Sequence, residues 1–171
     1  MKAGRGQRKD PRQELTGAGL GRGTRDEKNH QSETITLTVP SHPRYLYVIR
    51  SALYPIVVDA GFSKKEARKI VLAVDEACSN IIKYAYEGDH SKTIELNVFI
   101  EKTKLVIQLR DSGKKPDVSK IIPRKLDDIR PGGLGTHFMA EVFDAIDYNI
   151  RGDTGTILSL EKRFHDVRGR I

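Results

Sequence analysis

Glu76 and Asn80 stand one turn apart in the stretch "VDEACSNIIKYAYEG", residues 74–88. At the helical pitch they lie about 40° apart, on the edge of a stripe formed by Val74, Ala77, Ile81 and Ala85 rather than on its far, solvated side. Two further clusters follow: "RDSGKKPD" directly after an alternating apolar run, and "PGGLGTHF" opening a helical pattern. A carboxylate at a strand end, Asp111, can accept an exocyclic amine, and Gly113 lets backbone approach a flat ring. Gly132, Gly133 and Gly135 leave amides free at a helix N-terminus, a ready site for phosphate oxygens. The amide oxygen of Asn80 can ligate Mg²⁺, a hard cation held by few protein groups plus phosphates and water. Glu76 would then polarise an attacking hydroxyl or water. Each cluster alone is weak, since D-x-G marks many ordinary turns and G-G-x-G many flexible joints. Together they compose a site for ATP.

Elements able to carry these residues can be read from periodicity. Order is predicted to begin near Thr34, where Ile35, Leu37 and Val39 alternate as in a half-buried strand. A first helix follows, with Ser41 as its cap, Pro43 in its first turn and Leu46, Ile49, Leu53, Val57 and Ala60 as its stripe; Pro55 should kink it and Gly61 close it. Ser63 to Glu66 reads as a capping box opening a second helix that runs to about Tyr86. "TIELNVFI" and "KLVIQLR" form a hairpin around "EKT". Residues 111–133 lose periodicity and read as a loop. A third helix has Leu134, Phe138, Val142 and Ile146 in phase, and "IDYNIR" with "GTILSLEKRF" makes a last hairpin turning at "GDTG". The expected fold is α+β: a two-layer sandwich with a mostly antiparallel mixed sheet covered on one face by three helices.

Composition sets the surroundings. The chain has 171 residues and a formal net charge of +7. Residues 1–30 hold eight Lys or Arg against four Asp or Glu, leaving only +3 on residues 31–171. Residues 1–30 are too polar and glycine-rich to offset their ordering entropy and are expected to be a disordered basic tail, with 31–171 as the folded domain. Any contact with RNA or an acidic surface would be a weak, salt-sensitive one through that tail. The lone Cys78 falls on the apolar side of its helix and is expected to be a buried, inert thiol. No stretch reaches the roughly 18 apolar residues of a membrane span, and the basic start has no apolar signal region behind it, so a cytoplasmic location is expected. The histidines show no metal-ligand spacing.

E-x-x-x-N, D-x-G and G-G-x-G in this order resemble the GHKL (Bergerat-fold) ATPases, and within them the small anti-sigma-factor serine kinases of bacterial partner-switching systems. "EACSNIIKYAY" is similar to the family's N box, "DSGKKPD" to its first glycine box, "GGLGTHFM" to its second and "GDTGTILSLEKR" to its terminal hairpin. The resemblance spans roughly Thr34 to Phe164. It implies that Glu76 is the general base, Asn80 the Mg²⁺ ligand and Asp111 the adenine acceptor. Gly113 would shape the base pocket; Gly133, Leu134, Gly135 and Thr136 would hold the phosphates; and Thr156 would back the adenine. Lys83, one turn after Asn80, could reach a phosphate or stand as a solvated surface lysine. The stretch from Lys114 to Arg130 would be the ATP lid. Two positions depart from the pattern: Lys115 stands where many relatives have a second glycine, and Tyr84 where the family often has histidine.

The function so implied is an Mg·ATP-dependent serine/threonine protein kinase acting on a small anti-sigma-factor antagonist. A sigma factor would compete for the same kinase, which would work as a homodimer. A nucleotide-binding module that sequesters a partner without phosphotransfer is the alternative, since Glu76 could merely hold a water.

Overall fold

Alternating apolar positions along the strands separate the faces of the sheet. The computed structural model describes Met1 and residues 33–115, 134–150 and 155–165. Strands β1 (Glu33–Pro40), β2 (Thr93–Ile100), β3 (Lys104–Asp111), β4 (Ala145–Ile150) and β5 (Thr156–Arg163) form one five-stranded sheet in the order β1-β2-β3-β5-β4. All four pairings are antiparallel, so the expected mostly antiparallel sheet has no parallel pair among the described strands. Ile94, Leu96 and Val98, then Leu105, Ile107 and Leu109, then Leu158 and Leu160 are buried at every second position. The register sets Leu96 opposite Leu109, and Leu109 opposite Leu158.

Three helices complete the core on that face: α1 (Leu46–Asp59), α2 (Lys64–Asn80) and α3 (Leu134–Val142). Ile49, Leu53 and Val57 of α1, Ile70, Val74 and Ala77 of α2, and Met139 and Val142 of α3 join the sheet residues in one apolar cluster. Burying a side chain of this size stabilises by about 1.5–3 kcal/mol, which is why the stripe positions dictate where each helix lies. The opposite face carries polar partners: Thr36 Oγ1 donates to Asn97 Oδ1 at 2.6 Å, Asn97 Nδ2 donates to Glu95 Oε1 at 2.7 Å, and Lys104 Nζ reaches Glu161 Oε2 at 2.9 Å.

Local signals account for the helix boundaries, with three differences. The capping box forms as read: Ser63 Oγ accepts from the Glu66 N–H at 3.2 Å, and Glu66 Oε2 accepts from the Ser63 N–H at 3.0 Å. Gly61 ends α1 with φ of 100°. The cap before the first helix is His42 and not Ser41: residues Pro43–Tyr45 form a 3-10 turn, and His42 Nδ1 accepts from the Arg44 N–H. Ser41 is fully buried and spends its hydroxyl on the Asp89 carbonyl at 2.8 Å. The second helix reaches Ala85 only by widening, because Ile81–Ala85 is a π turn. The third helix stops at Val142, and Ile146 is instead a β4 residue facing Leu160. α1 continues through Pro55.

Candidate functional site

The corner where β3 ends against the close of the α2 rod gathers most of the residues singled out above. Asp111 is the last residue of β3 and shares the core face with Leu109. Across the sheet its register partner is Thr156, the first residue of β5. Thr156 is 3% exposed, yet its Oγ1 has no hydrogen-bond partner among the described residues. An unsatisfied buried hydroxyl costs about 1–3 kcal/mol, so this orphan beside a carboxylate fits a place that a polar ligand or water completes. Burial pushes the Asp111 carboxyl above the usual aspartate range, against the opposing pull of the Gly113 N–H. That N–H donates to Asp111 Oδ1 at 2.8 Å, and Oδ2 has no partner among the described residues. A free carboxylate oxygen next to an orphan hydroxyl is the chemistry that reads an amino-substituted heterocycle.

Gly113 locks this corner to the helix. A Cβ there would lie 2.3 Å from the Ala85 carbonyl oxygen and 2.5 Å from its carbon, so no side chain fits without moving backbone. Around that contact, Lys114 N–H donates to the Ala85 carbonyl at 2.9 Å, and Gly155 N–H donates to the Gly113 carbonyl at 2.9 Å. Gly155 itself has φ of 90°, and a Cβ on it would come within 2.8 Å of the Asp111 carbonyl oxygen. Ala85 closes the π turn that starts one residue after Asn80. π turns of this kind occur often at functional sites, because one extra residue re-aims the backbone that follows.

Glu76 and Asn80 sit on the last two turns of α2, half-buried, and neither side chain bonds to a described residue. Lys83 is exposed on the π turn. Leu134, Gly135 and Thr136 open α3, so their backbone N–H groups belong to the first turn, which lacks intrahelical acceptors. Their side chains, Gly133, residues 116–130 of the expected lid, residues 151–154 of the expected turn and the tail up to residue 30 after Met1 lie outside the described residues. α3 is held on α2 by buried Met139 and by the Lys69–Glu141 ion pair at 3.6 Å. Cys78 is fully buried and its thiol is pushed well up by burial, with Asp75 adding to the effect, as an inert thiol would be.

Two participants escaped the reading of the sequence. Gly155 was seen only as part of a turn. Tyr86 was seen only as a helix end, although an aromatic ring with a polar tip at a helix terminus is a plain signal of a bridging role.

The layered fold with a carboxylate, a buried hydroxyl and a glycine turn at one sheet corner defines a class, a small α+β ligand-binding domain. Residues 39–162 match the family described as histidine kinase-like ATPase domain, and the chain belongs to that family. It is 27% identical over 141 residues to the serine-protein kinase RsbW of Halalkalibacterium halodurans, covering 78% of this chain and 85% of that one. Similarity to the protein of the same name from Bacillus subtilis is 24% over 147 residues, covering 81% and 91%. For that of Listeria monocytogenes it is 28% over 142 residues, covering 78% and 89%. Among solved structures, the SiaB-SiaC complex from Pseudomonas aeruginosa has a similar fold, with a TM-score of 0.60 at 15% identity over 75% of this chain and 88% of that chain. Membership in an ATPase family implies ATP as the nucleotide. No helix among the described residues is long and apolar enough to cross a membrane.

Proposed function

We propose that this protein is an Mg·ATP-dependent serine/threonine protein kinase of the anti-sigma-factor type, which phosphorylates a small antagonist protein and so controls transcription by partner switching. The observation that carries this reading is the Asp111–Thr156 pair: a carboxylate and an orphan hydroxyl in register on the helix-covered face, in a chain whose relatives are named serine-protein kinases.

In this reading Asp111 accepts the adenine amine through its free oxygen, and Thr156 donates its hydroxyl to the ring or to a water on it. Gly113 keeps the floor of the base site flat. Gly133, Leu134, Gly135 and Thr136 turn first-turn amides toward the phosphates, and Lys83 adds charge at their edge. Asn80 would hold Mg²⁺, which neutralises charge developing on the transferring phosphoryl group. Glu76 accepts the proton of the attacking serine hydroxyl, and preorganised backbone dipoles supply much of the remaining stabilisation. The antagonist is the phosphate acceptor, a sigma factor is its competitor, and the working form is a homodimer in the cytoplasm.

The test is phosphotransfer from γ-labelled ATP to purified antagonist-type proteins of the same genome, with wild type beside Glu76→Gln. Wild type is expected to label a serine. Glu76→Gln is expected to bind ATP as wild type does and to transfer nothing. A wild type that binds ATP and labels none of them would leave a partner-sequestering module as the better reading.

A further inference from the structure

We propose that Tyr86 is the positioning residue of the base site, a latch whose single hydroxyl fixes the Asp111–Gly113 turn against both the helical rod and the sheet. The inference rests on the ATP-site reading above and deepens it.

The Tyr86 ring is 6% exposed. Its Oη donates to the Thr93 carbonyl at 2.6 Å and accepts from the Ser112 N–H at 3.0 Å. One atom therefore uses its proton and a lone pair to join three segments: the end of the π turn, the first residue of β2 and the turn after β3. Ser112 is the only residue between Asp111 and Gly113, so the position of its amide sets where the carboxylate points. The neighbouring bonds, from Lys114 N–H to Ala85 and from Gly155 N–H to Gly113, hold the backbone on either side but leave Ser112 to the phenol. Asp111 has Oδ1 engaged by Gly113 and Oδ2 unpartnered among the described residues. The direction of that free oxygen then depends on the turn staying where Tyr86 holds it. Such a group acts through Asp111 and touches no reacting atom.

Tyr86→Phe keeps the ring and removes both bonds. The decisive comparison is calorimetric binding of Mg·ATP and Mg·ITP by the full chain, because ITP carries an exocyclic carbonyl oxygen in place of the amine that Asp111 reads. Wild type is expected to prefer ATP, and Asp111→Asn to lose that preference. Tyr86→Phe is expected to lose about tenfold in ATP affinity, the worth of one or two net hydrogen bonds, with ITP affinity changed by less than about twofold. Equal loss for both nucleotides, or loss for neither, would overturn the positioning role, the first because it marks a general loosening of the fold. A wild type that binds no ATP, or an Asp111→Asn variant without effect, would overturn the ATP-site reading and this inference with it. A silent Tyr86→Phe beside a damaged Asp111→Asn would overturn this inference alone. Should Tyr86→Phe fail to fold, hydrogen exchange of the wild-type Ser112 amide decides: slowing of at least about tenfold is expected for a bonded amide, and exchange at the free-chain rate would remove the latch.

Discussion

Gly113→Ala is the sharpest single perturbation of the corner. The added Cβ would lie 2.3 Å from the Ala85 carbonyl oxygen, whereas ordinary contact begins at 3.4 Å, so one backbone segment must shift by about 1 Å. Both neighbours are main chain, and neither can rotate away. Overpacking of this kind costs about 1–3 kcal/mol, and loss of the 2.9 Å bond from Lys114 N–H to Ala85 adds about 1 kcal/mol. For a chain of this size that sum lowers the melting temperature by about 5–15 °C. The same shift moves Asp111 relative to Asn80, so ATP affinity should fall at least about tenfold. Gly88→Ala is the matched control: nothing lies within 4 Å of its Cβ, and only the φ of +83° opposes it. It should cost about 1–2 kcal/mol of stability and leave ATP binding intact. Thermal melts and calorimetry on the three proteins decide the matter. A Gly113→Ala protein that melts and binds as wild type does would refute the steric reasoning, and a Gly88→Ala protein equally weak for ATP would refute its link to the site.

Two more outcomes follow from the same corner. Thr156→Val removes an orphan hydroxyl at constant shape, so the apo protein should melt no lower than wild type, while ATP affinity drops; a variant less stable yet equally tight for ATP would show that the hydroxyl serves the fold and not the ligand. The Asp111 carboxyl lies above the ordinary aspartate range because of burial, and its ionised form is the stronger acceptor for an amine, with no proton of its own in the way. ATP affinity should therefore hold at neutral pH and fall on acidification, starting at a higher pH than an exposed aspartate would dictate. For the apo fold the sign is opposite: a raised carboxyl disfavours the folded state when ionised, so that penalty is relieved as the pH drops through its folded value. Affinity independent of pH across the acid range, with Asp111→Asn equally flat, would remove Asp111 from the base site.

What the sequence disclosed was whatever depends on near neighbours. Ser63 and Glu66 cap α2 because both partners lie within one turn, and the alternation of Ile94, Leu96 and Val98 names the buried face because a strand has period two. The Asp111–Thr156 pairing was implied only by resemblance, since 45 positions separate the two and a strand pairing of that span carries no local mark. Ser41 looked like a cap, and its burial under the loop at Asp89 changed its task. The widened turn at Ile81–Ala85 was invisible, because apolar spacing reports which face is buried and not which carbonyl each amide chooses. Tyr86 reads in the sequence only as a helix end for the same reason: the partners of its hydroxyl lie 7 and 26 positions away.

The π turn also fixes a length. Between Asn80 and Tyr86 the chain holds one residue more than an α-helix would need to bring the same groups together. Deleting one of residues 81–85 would let the ordinary ladder close with those groups still in reach, whereas inserting one would rotate everything beyond it by about 100°. The Tyr86 hydroxyl would swing away from Thr93 and Ser112, and Ala85 would no longer meet Gly113. Substitutions in this stretch can be absorbed wherever the side chain is exposed, as at Lys83 and Tyr84. An inserted residue cannot. The 101–103 turn between β2 and β3 makes the contrast, because a changed loop length there leaves the paired strands in register. A scan of single-residue insertions across the domain would thus trace the junction of helix and sheet as a sharp band of intolerance, drawn by backbone phase rather than by the identity of any side chain.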